Sequence, residues 1–336
     1  MEKKILQIRK SDRVLFFVNT PFQALCAIEA IKHFSIENYS LYVSYFANEN
    51  RLEQIDVVLS LFDVPYKSFC LKKSSFLNFM LKCSFKKKYE IAFVGDFYTV
   101  LFSCFSVISL KTKGEIVYMD DGNSTIDIFK GALAPLKTGG MFQKLRNLVK
   151  WIGKKKGIEV EKYFFSIFPD IPNKKYQVIE NDFSHIRSLY ATMNTQSLSL
   201  FVGTVTEDFC EENHLTKEQY HNVLDNILDR AHKEAGGLVY IPHGRDRDET
   251  TVELCKKYNI EYRKLDVCVE LYILQNGITP DFIYGFSSSA LYSLKLMFPE
   301  AQVYNARIVS SNPSREYEDI AAYYQKHDIR NLVYNV

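Results

Sequence analysis

Apolar positions along this chain fall into two series of short runs, and each run is followed by a stretch with helical spacing. The first series opens with VLFFVN (Val14–Asn19), aromatic and β-branched and of strand length. Thr20-Pro21-Phe22-Gln23 comes next and reads as a helix start. Thr20 fits the N-cap, Pro21 the first helical position, and Gln23 the reciprocal half of a capping box. Helical spacing then carries the element through Ala24–His33. Tyr39–Phe46 predicts a strand, Glu53–Phe62 a helix, and IAFVGD (Ile91–Asp96) and EIVYMDDG (Glu115–Gly122) two further strands that close on acid and glycine.

From Phe129 to Asn181 the pattern loosens around Pro135, Gly139-Gly140, Pro169 and Pro172, which predicts a helical excursion and interdomain connection. The second series begins with LSLFVGT (Leu198–Thr204). A helix from Thr216 to Lys233 follows, with Thr216 and Gln219 as a capping box. GLVYIPHG (Gly237–Gly244) is a strand and loop, Asp248–Tyr258 a helix, Glu261–Asp266 a short extended run, and Glu270 falls in the next helix. Strand Asp281–Phe286, helix Ser287–Phe298, strand Ala301–Ile308 and helix Ser314–Lys326 complete the series. Apolar strands alternating with helices predict parallel sheets covered on both faces. Two such halves, 1–180 and 181–336, predict an α/β protein with two Rossmann-like domains facing a central cleft, the GT-B-type architecture.

Composition narrows the classes. Apolar residues make up 47% and charged residues 24% of the 336, an ordinary globular balance. A net charge of +2 and the lack of a long basic stripe argue against nucleic acid as a partner. The seven cysteines are scattered singly without CxxC, which argues against a disulfide framework or a zinc site and for a reducing cytoplasm. Neither a cleavable leader pattern nor a bilayer-length apolar run is present, so the expected location is cytoplasmic. Two lysine clusters stand out, Lys86–Lys88 and Lys150 with Lys154–Lys156 around the only tryptophan, Trp151. Each fits a solvated helix face, and the second also fits a peripheral contact with the inner face of the membrane. The oligomeric state stays open, a homodimer included.

Ligands of open parallel sheets bind outside the carboxyl ends of the strands, so the polar residues there are the candidates. Asp120-Asp121-Gly122 follows one strand: one carboxylate can face the cleft as a general base while its neighbour braces the loop, and Asp-Gly is equally turn chemistry. His243-Gly244-Arg245 follows another, with an imidazole able to donate to a departing phosphate and a guanidinium able to add positive charge. Ser287-Ser288-Ser289 lies between a strand and a helix, where hydroxyls and helix N–H groups cradle phosphate, although capping alone needs a single serine. Asn19, Thr20 and Gln23 close the first strand on the same side as the acids, with capping as the plainer account of Thr20 and Gln23. Together these place a base in the acceptor-side half and a phosphate cradle in the nucleotide-donor half.

In that order, Asp120-Asp121-Gly122, Pro242-His243 and Ser287-Ser288-Ser289 resemble the three short motifs of bacterial sialyltransferases. The opening VLFFVNTPFQALCAIEAI is similar to the start of the lipooligosaccharide and capsule sialyltransferases grouped as glycosyltransferase family 52. The resemblance implies inverting, metal-independent transfer from CMP-sialic acid to a hydroxyl, usually of galactose, with no cofactor. It implies Asp120 as base with Asp121 in support, His243 on the leaving phosphate, and Ser288 and Ser289 binding that phosphate. Gly203-Thr204 and Glu270 match positions near the nucleotide. The family usually has proline after the histidine, where Gly244 stands here. The alternatives are a hexosyltransferase of the same fold using a UDP-sugar, which donor choice separates, and a non-catalytic glycan-binding subunit, for which cytidine nucleotides give no thermal shift. No GxGxxG follows a predicted strand and no GxSxG occurs, which disfavours a dinucleotide oxidoreductase and an esterase.

Overall fold

A computed structural model describes residues 6–45, 51–70, 88–95, 97, 100–130, 140–173, 175–192, 195–235, 237–310 and 315–336. The chain divides into two compact units, Met1–His185 and Ile186–Val336.

In the first unit the elements run β1 (Val14–Val18), α1 (Pro21–His33), β2 (Tyr39–Tyr45), α2 (Arg51–Leu61), β3 (Tyr66–Cys70), β4 (Tyr89–Val94), α3 (Val100–Ser109), β5 (Leu110–Met119), α4 (Ser124–Lys130), α5 (Gly140–Lys156), β6 (Tyr163–Ser166) and β7 (Gln177–Glu180). They form a seven-stranded sheet in the order β3-β2-β1-β4-β5-β6-β7. Every pairing is parallel, with Val14 opposite Tyr39 on one side and Ile91 on the other. All five residues of β1 are buried, as a central strand covered on both faces requires. Its aromatic side chains explain how the helices seat: Phe16 stacks on Phe93 with centroids 4.8 Å apart, and Phe17 on Phe102 of α3 at 5.6 Å.

The helix α6 (Ser184–Tyr190) crosses into the second unit. There follow β8 (Gln196–Ser197), β9 (Ser199–Val202), α7 (Thr206–Glu212), α8 (Lys217–Glu234), β10 (Leu238–Ile241), α9 (Glu249–Lys257), β11 (Glu261–Tyr262), α10 (Val269–Asn276), β12 (Ile278–Thr279), β13 (Phe282–Gly285), α11 (Ser289–Met297), β14 (Gln302–Val309), α12 (Arg315–Lys326) and β15 (Ile329–Asn335). The main sheet is again all parallel, in the order β11-β10-β9-β13-β14-β15, and β8 pairs with β12 beside it. Both main sheets therefore carry the doubly wound strand order, reversing direction at β1/β4 and at β9/β13. The capping box predicted at Thr216 is complete: Thr216 Oγ1 accepts from Gln219 N, and Gln219 returns to the Thr216 N–H.

The stretch expected as a helical excursion and connection does more than connect. It contains α5 and also β6 and β7, which extend the first sheet. Tyr163–Ser166 is entirely buried, but four residues between prolines and lysines are too few to show as a period in the sequence. Phe46, Lys86, Lys87, Asp96, Pro135, Gly139 and Ser314 lie outside the described residues. Among the described residues no helix is long and apolar enough to cross a membrane. None of them form a group of three or more His, Cys, Asp or Glu side chains placed to hold a metal ion.

Candidate functional site

In the first unit the strand-end residues form one hydrogen-bonded system. Thr20 is extended (φ −133°, ψ 156°) and its Oγ1 caps α1 by accepting from Gln23 N at 3.2 Å. The second half of the predicted box does not form, because Gln23 is drawn elsewhere. Its side-chain oxygen accepts from Asn19 N at 2.9 Å, and its Nε2 donates to Asp121 Oδ1 at 2.8 Å. Gln23 is fully buried, so these bonds replace the water its amide gives up. The clamp needs space just past β4: a Cβ at Gly95 would sit 2.3 Å from Gln23 Oε1.

The two aspartates are held differently. Asp120 is fully buried, and its carboxylate accepts from Ser166 Oγ and from Ile167 N, both at 2.6 Å. Burial pushes its pKa up to about 7 against the opposing pull of those bonds. Asp121 is half-buried at the turn, where Gly122 has a φ of 67°. That left-handed geometry favours glycine. Ser124 Oγ donates to the Asp121 carbonyl at 2.7 Å and anchors the start of α4. Of the pair, Asp120 braces β5 against β6, and Asp121 offers its carboxylate at the loop with Gln23 fixing one oxygen.

In the second unit, Gly203 packs under a tyrosine: a Cβ there would meet Tyr240 Oη at 2.6 Å. Thr204 follows, half-buried. Along the loop after β10, His243 Nδ1 accepts from Arg245 N at 3.2 Å, which leaves Nε2 as the protonated nitrogen of the neutral ring. Desolvation, and then the charge of Arg245, lower the His243 pKa below its ordinary value. Arg245 is exposed and pairs with Asp208 at 3.2 Å. Buried Asp246 ties the loop down, donating from its N–H to His243 O at 2.8 Å and accepting from Thr206 N at 3.0 Å. Arg247 adds bonds to Gly244 O at 3.0 Å and Asp246 O at 2.7 Å. Gly244 itself has nothing within 4 Å of a built Cβ.

Ser287 adopts a φ of 43°, a strained position for a residue with a side chain. Buried Asn305 on β14 holds it there, accepting from Ser287 N at 2.7 Å and Ser287 Oγ at 3.3 Å, and donating to Asn331 Oδ1 at 2.8 Å. Ser288 is the N-cap of α11 and accepts from Ala290 N at 3.3 Å, while Tyr324 Oη donates to the Ser288 carbonyl at 2.7 Å. Ser289 opens the helix. Glu270 differs from the rest: its carboxyl is buried, accepts from Ser293 Oγ at 2.6 Å, and has a pKa raised by desolvation. In the structure it ties α10 to α11 one turn behind the serines.

Asn305, Asp246, Ser166 and Gly95 were not singled out by the sequence. The available signal for Asn305 was a polar residue inside the apolar run Ala301–Ile308, and for Ser166 a serine closing a run of aromatics. Gly95 gave no signal, because its need is set by a side chain 72 positions away.

No family model and no curated protein matches the chain. Among solved structures it is similar to the GT-B domain, residues 113–497, of a sialyltransferase from Photobacterium damselae, with 11% identity over 95% of this chain and 99% of that one and a TM-score of 0.52. It is also similar to the Escherichia coli heptosyltransferase WaaC (11% identity, 96% and 92% covered, TM-score 0.45). A UDP-GlcNAc 2-epimerase from Neisseria meningitidis gives 15% identity, 92% and 85% covered, and a TM-score of 0.47. The first likeness and the two sheets together show the fold, α/β of GT-B type with two Rossmann-like domains.

Proposed function

We propose that this chain is an inverting, metal-independent glycosyltransferase that moves sialic acid from CMP-sialic acid to a terminal galactose-type hydroxyl of a bacterial surface glycan, capsule or lipooligosaccharide. The observation that carries the reading is Asp121, a half-buried carboxylate at a strand end with one oxygen held by a buried glutamine. Such a group is oriented to take a proton. As the acceptor hydroxyl attacks the anomeric carbon, its proton passes to the Asp121 carboxylate, and the bond to the CMP phosphate breaks with its electron pair on the phosphate oxygen. The base is thereby assigned to the second aspartate of the pair. Asp120, with both oxygens occupied and no exposure, holds the loop.

Ser288 and Ser289, at the start of α11, offer hydroxyl and N–H donors to the departing phosphate, and His243 Nε2–H adds another. Gly203 and Thr204 sit beside the nucleotide, with Arg245 contributing charge. A single phosphate needs no more than these donors. The missing proline after His243 is compensated, since Asp246 and Arg247 already fix the loop. The neighbour with the TM-score of 0.52 is named a sialyltransferase, in keeping with the group transferred in this reading.

The test is a donor screen with CMP-sialic acid and UDP-hexoses against a terminal galactoside, run on the native chain and on Asp121→Asn. Turnover of CMP-sialic acid that disappears in Asp121→Asn, with CMP still bound, is expected. Turnover of a UDP-hexose instead refutes the donor, and an active Asp121→Asn refutes the base.

A further inference from the structure

The helix α5 carries no acidic residue in its sequence GMFQKLRNLVKWIGKKK, while lysines and an arginine recur along it. Its packed side is fixed by Val149, which is buried, and by Arg146, which bonds to Glu161 at 2.6 Å. Its outer side holds Lys144, Leu148, Trp151 and Lys155, spaced four, three and four residues apart and all exposed. That spacing places them in one stripe along the helix. Leu148 is 45% and Trp151 54% exposed, an unusual placement for two large apolar side chains on adjacent turns. Lys155 Nζ lies 4.0 Å from the centre of the Trp151 ring. Among the described residues Lys144, Lys154 and Lys155 have no acidic partner, whereas Lys150 is paired with Glu161 at 3.5 Å. Lys88, Lys111 and Lys113 are exposed too, and Lys113 lies against Gly157 at the end of the helix.

We propose that this stripe is a docking surface for an anionic lipid bilayer, lying parallel to it with Leu148 and Trp151 entering the acyl boundary and the lysines meeting the headgroups. An apolar pair flanked by Lys144, Lys154 and Lys155, none with an acidic partner among the described residues, fits that occupant on both counts. A second copy of the chain fits poorly, because a two-fold contact would bring like charges together without an acid to offset them. The inference does not depend on the reaction assigned above.

Trp151 is the only tryptophan in the chain, so fluorescence excited selectively in tryptophan, beyond the absorption of the tyrosines, reports on this surface. The native chain is titrated with vesicles of phosphatidylglycerol and phosphatidylcholine, and separately with phosphatidylcholine alone. A blue-shifted emission and sedimentation with the anionic vesicles only, reversed by high salt, are expected. Lys154→Glu with Lys155→Glu should lower the partition coefficient by tenfold or more, roughly what removal of two interfacial lysines implies. Leu148→Ala with Trp151→Ala, at exposed positions that do not threaten folding, should lower sedimentation as well. Native chain that stays in the supernatant overturns the proposal. So do equal binding to both vesicle types, unchanged sedimentation of the two double variants, and a dimer that Leu148→Ala with Trp151→Ala disperses.

Discussion

In the first unit, the first turn of α1 carries an amide and the loop after β5 two carboxylates, and the amide grips one of the acids. In the second, the loops after β9, β10 and β13 carry glycine, threonine, an imidazole and three hydroxyls. Both units use the same strand order to present these groups. The scaffold therefore does not decide the chemistry. In the proposed reaction one set of strand ends accepts a proton and the other donates hydrogen bonds to an anion. The bracing differs in the same sense: a buried carboxyl, Asp120, stiffens the acidic loop, whereas a buried amide, Asn305, backed by the half-buried Asn331, stiffens the serine loop.

The sharpest way to break this division is Asp121→Asn. Loss of a general base should cut turnover by about 10²–10⁴-fold, and calorimetry should show CMP binding unchanged. Equal loss of both would mean that the two units do not divide the work. Next in size is a pH effect on stability. Asp120 binds its proton more tightly when folded than when unfolded, since its pKa rises to about 7. Its stabilising contribution is therefore complete below the unfolded carboxylate value near 4 and is lost as pH rises through about 7, by on the order of 4 kcal/mol. Urea unfolding across that window should show the decline, and Asp120→Asn should flatten it. A slope unchanged by Asp120→Asn would remove the carboxyl from the account.

On the donor side, Ser288→Ala with Ser289→Ala should weaken CMP about tenfold and leave cytidine unchanged. Equal weakening of both ligands would deny the serines a phosphate role. The smallest contrast is between two glycines. Gly95→Ala pushes against Gln23 and should lower turnover in a chain that still folds, whereas Gly244→Ala meets open space and should alter stability by less than about 0.5 kcal/mol. Thermal melts and rates on both variants distinguish these outcomes.

Much of the framework was readable from the chain. β1, α1 and α8 with its capping box follow from apolar period and cap chemistry, which are local. The elements that escaped notice include β3, β6, β7, β8, β12, β15, α4, α6 and α7, most of them short, and α3, whose sequence VLFSCFSVIS is apolar nearly throughout and so shows no helical period. The acidic pair, the histidine loop and the serine turn were visible as residue types at strand ends. Which aspartate is buried was not visible, because that depends on Ser166 and Ile167 arriving from a strand 46 residues further on. Glu270 read as a nucleotide contact for a similar reason: its burial against Ser293 comes from the packing of two helices. Gln23 looked like half of a cap until a partner 98 positions away claimed its amide.

Gln23 has a consequence for how this sequence can drift. One side chain spans the ends of β1 and β5 while occupying the place where a methyl group at Gly95, just past β4, would go. Positions 23, 95 and 121 are thus locked into a single choice. A shorter residue at 23 frees room at 95 but gives up the amide's bond to the carboxylate, and any enlargement at 95 evicts the amide. Among relatives of this chain, substitutions at the three sites should be accepted together or not at all.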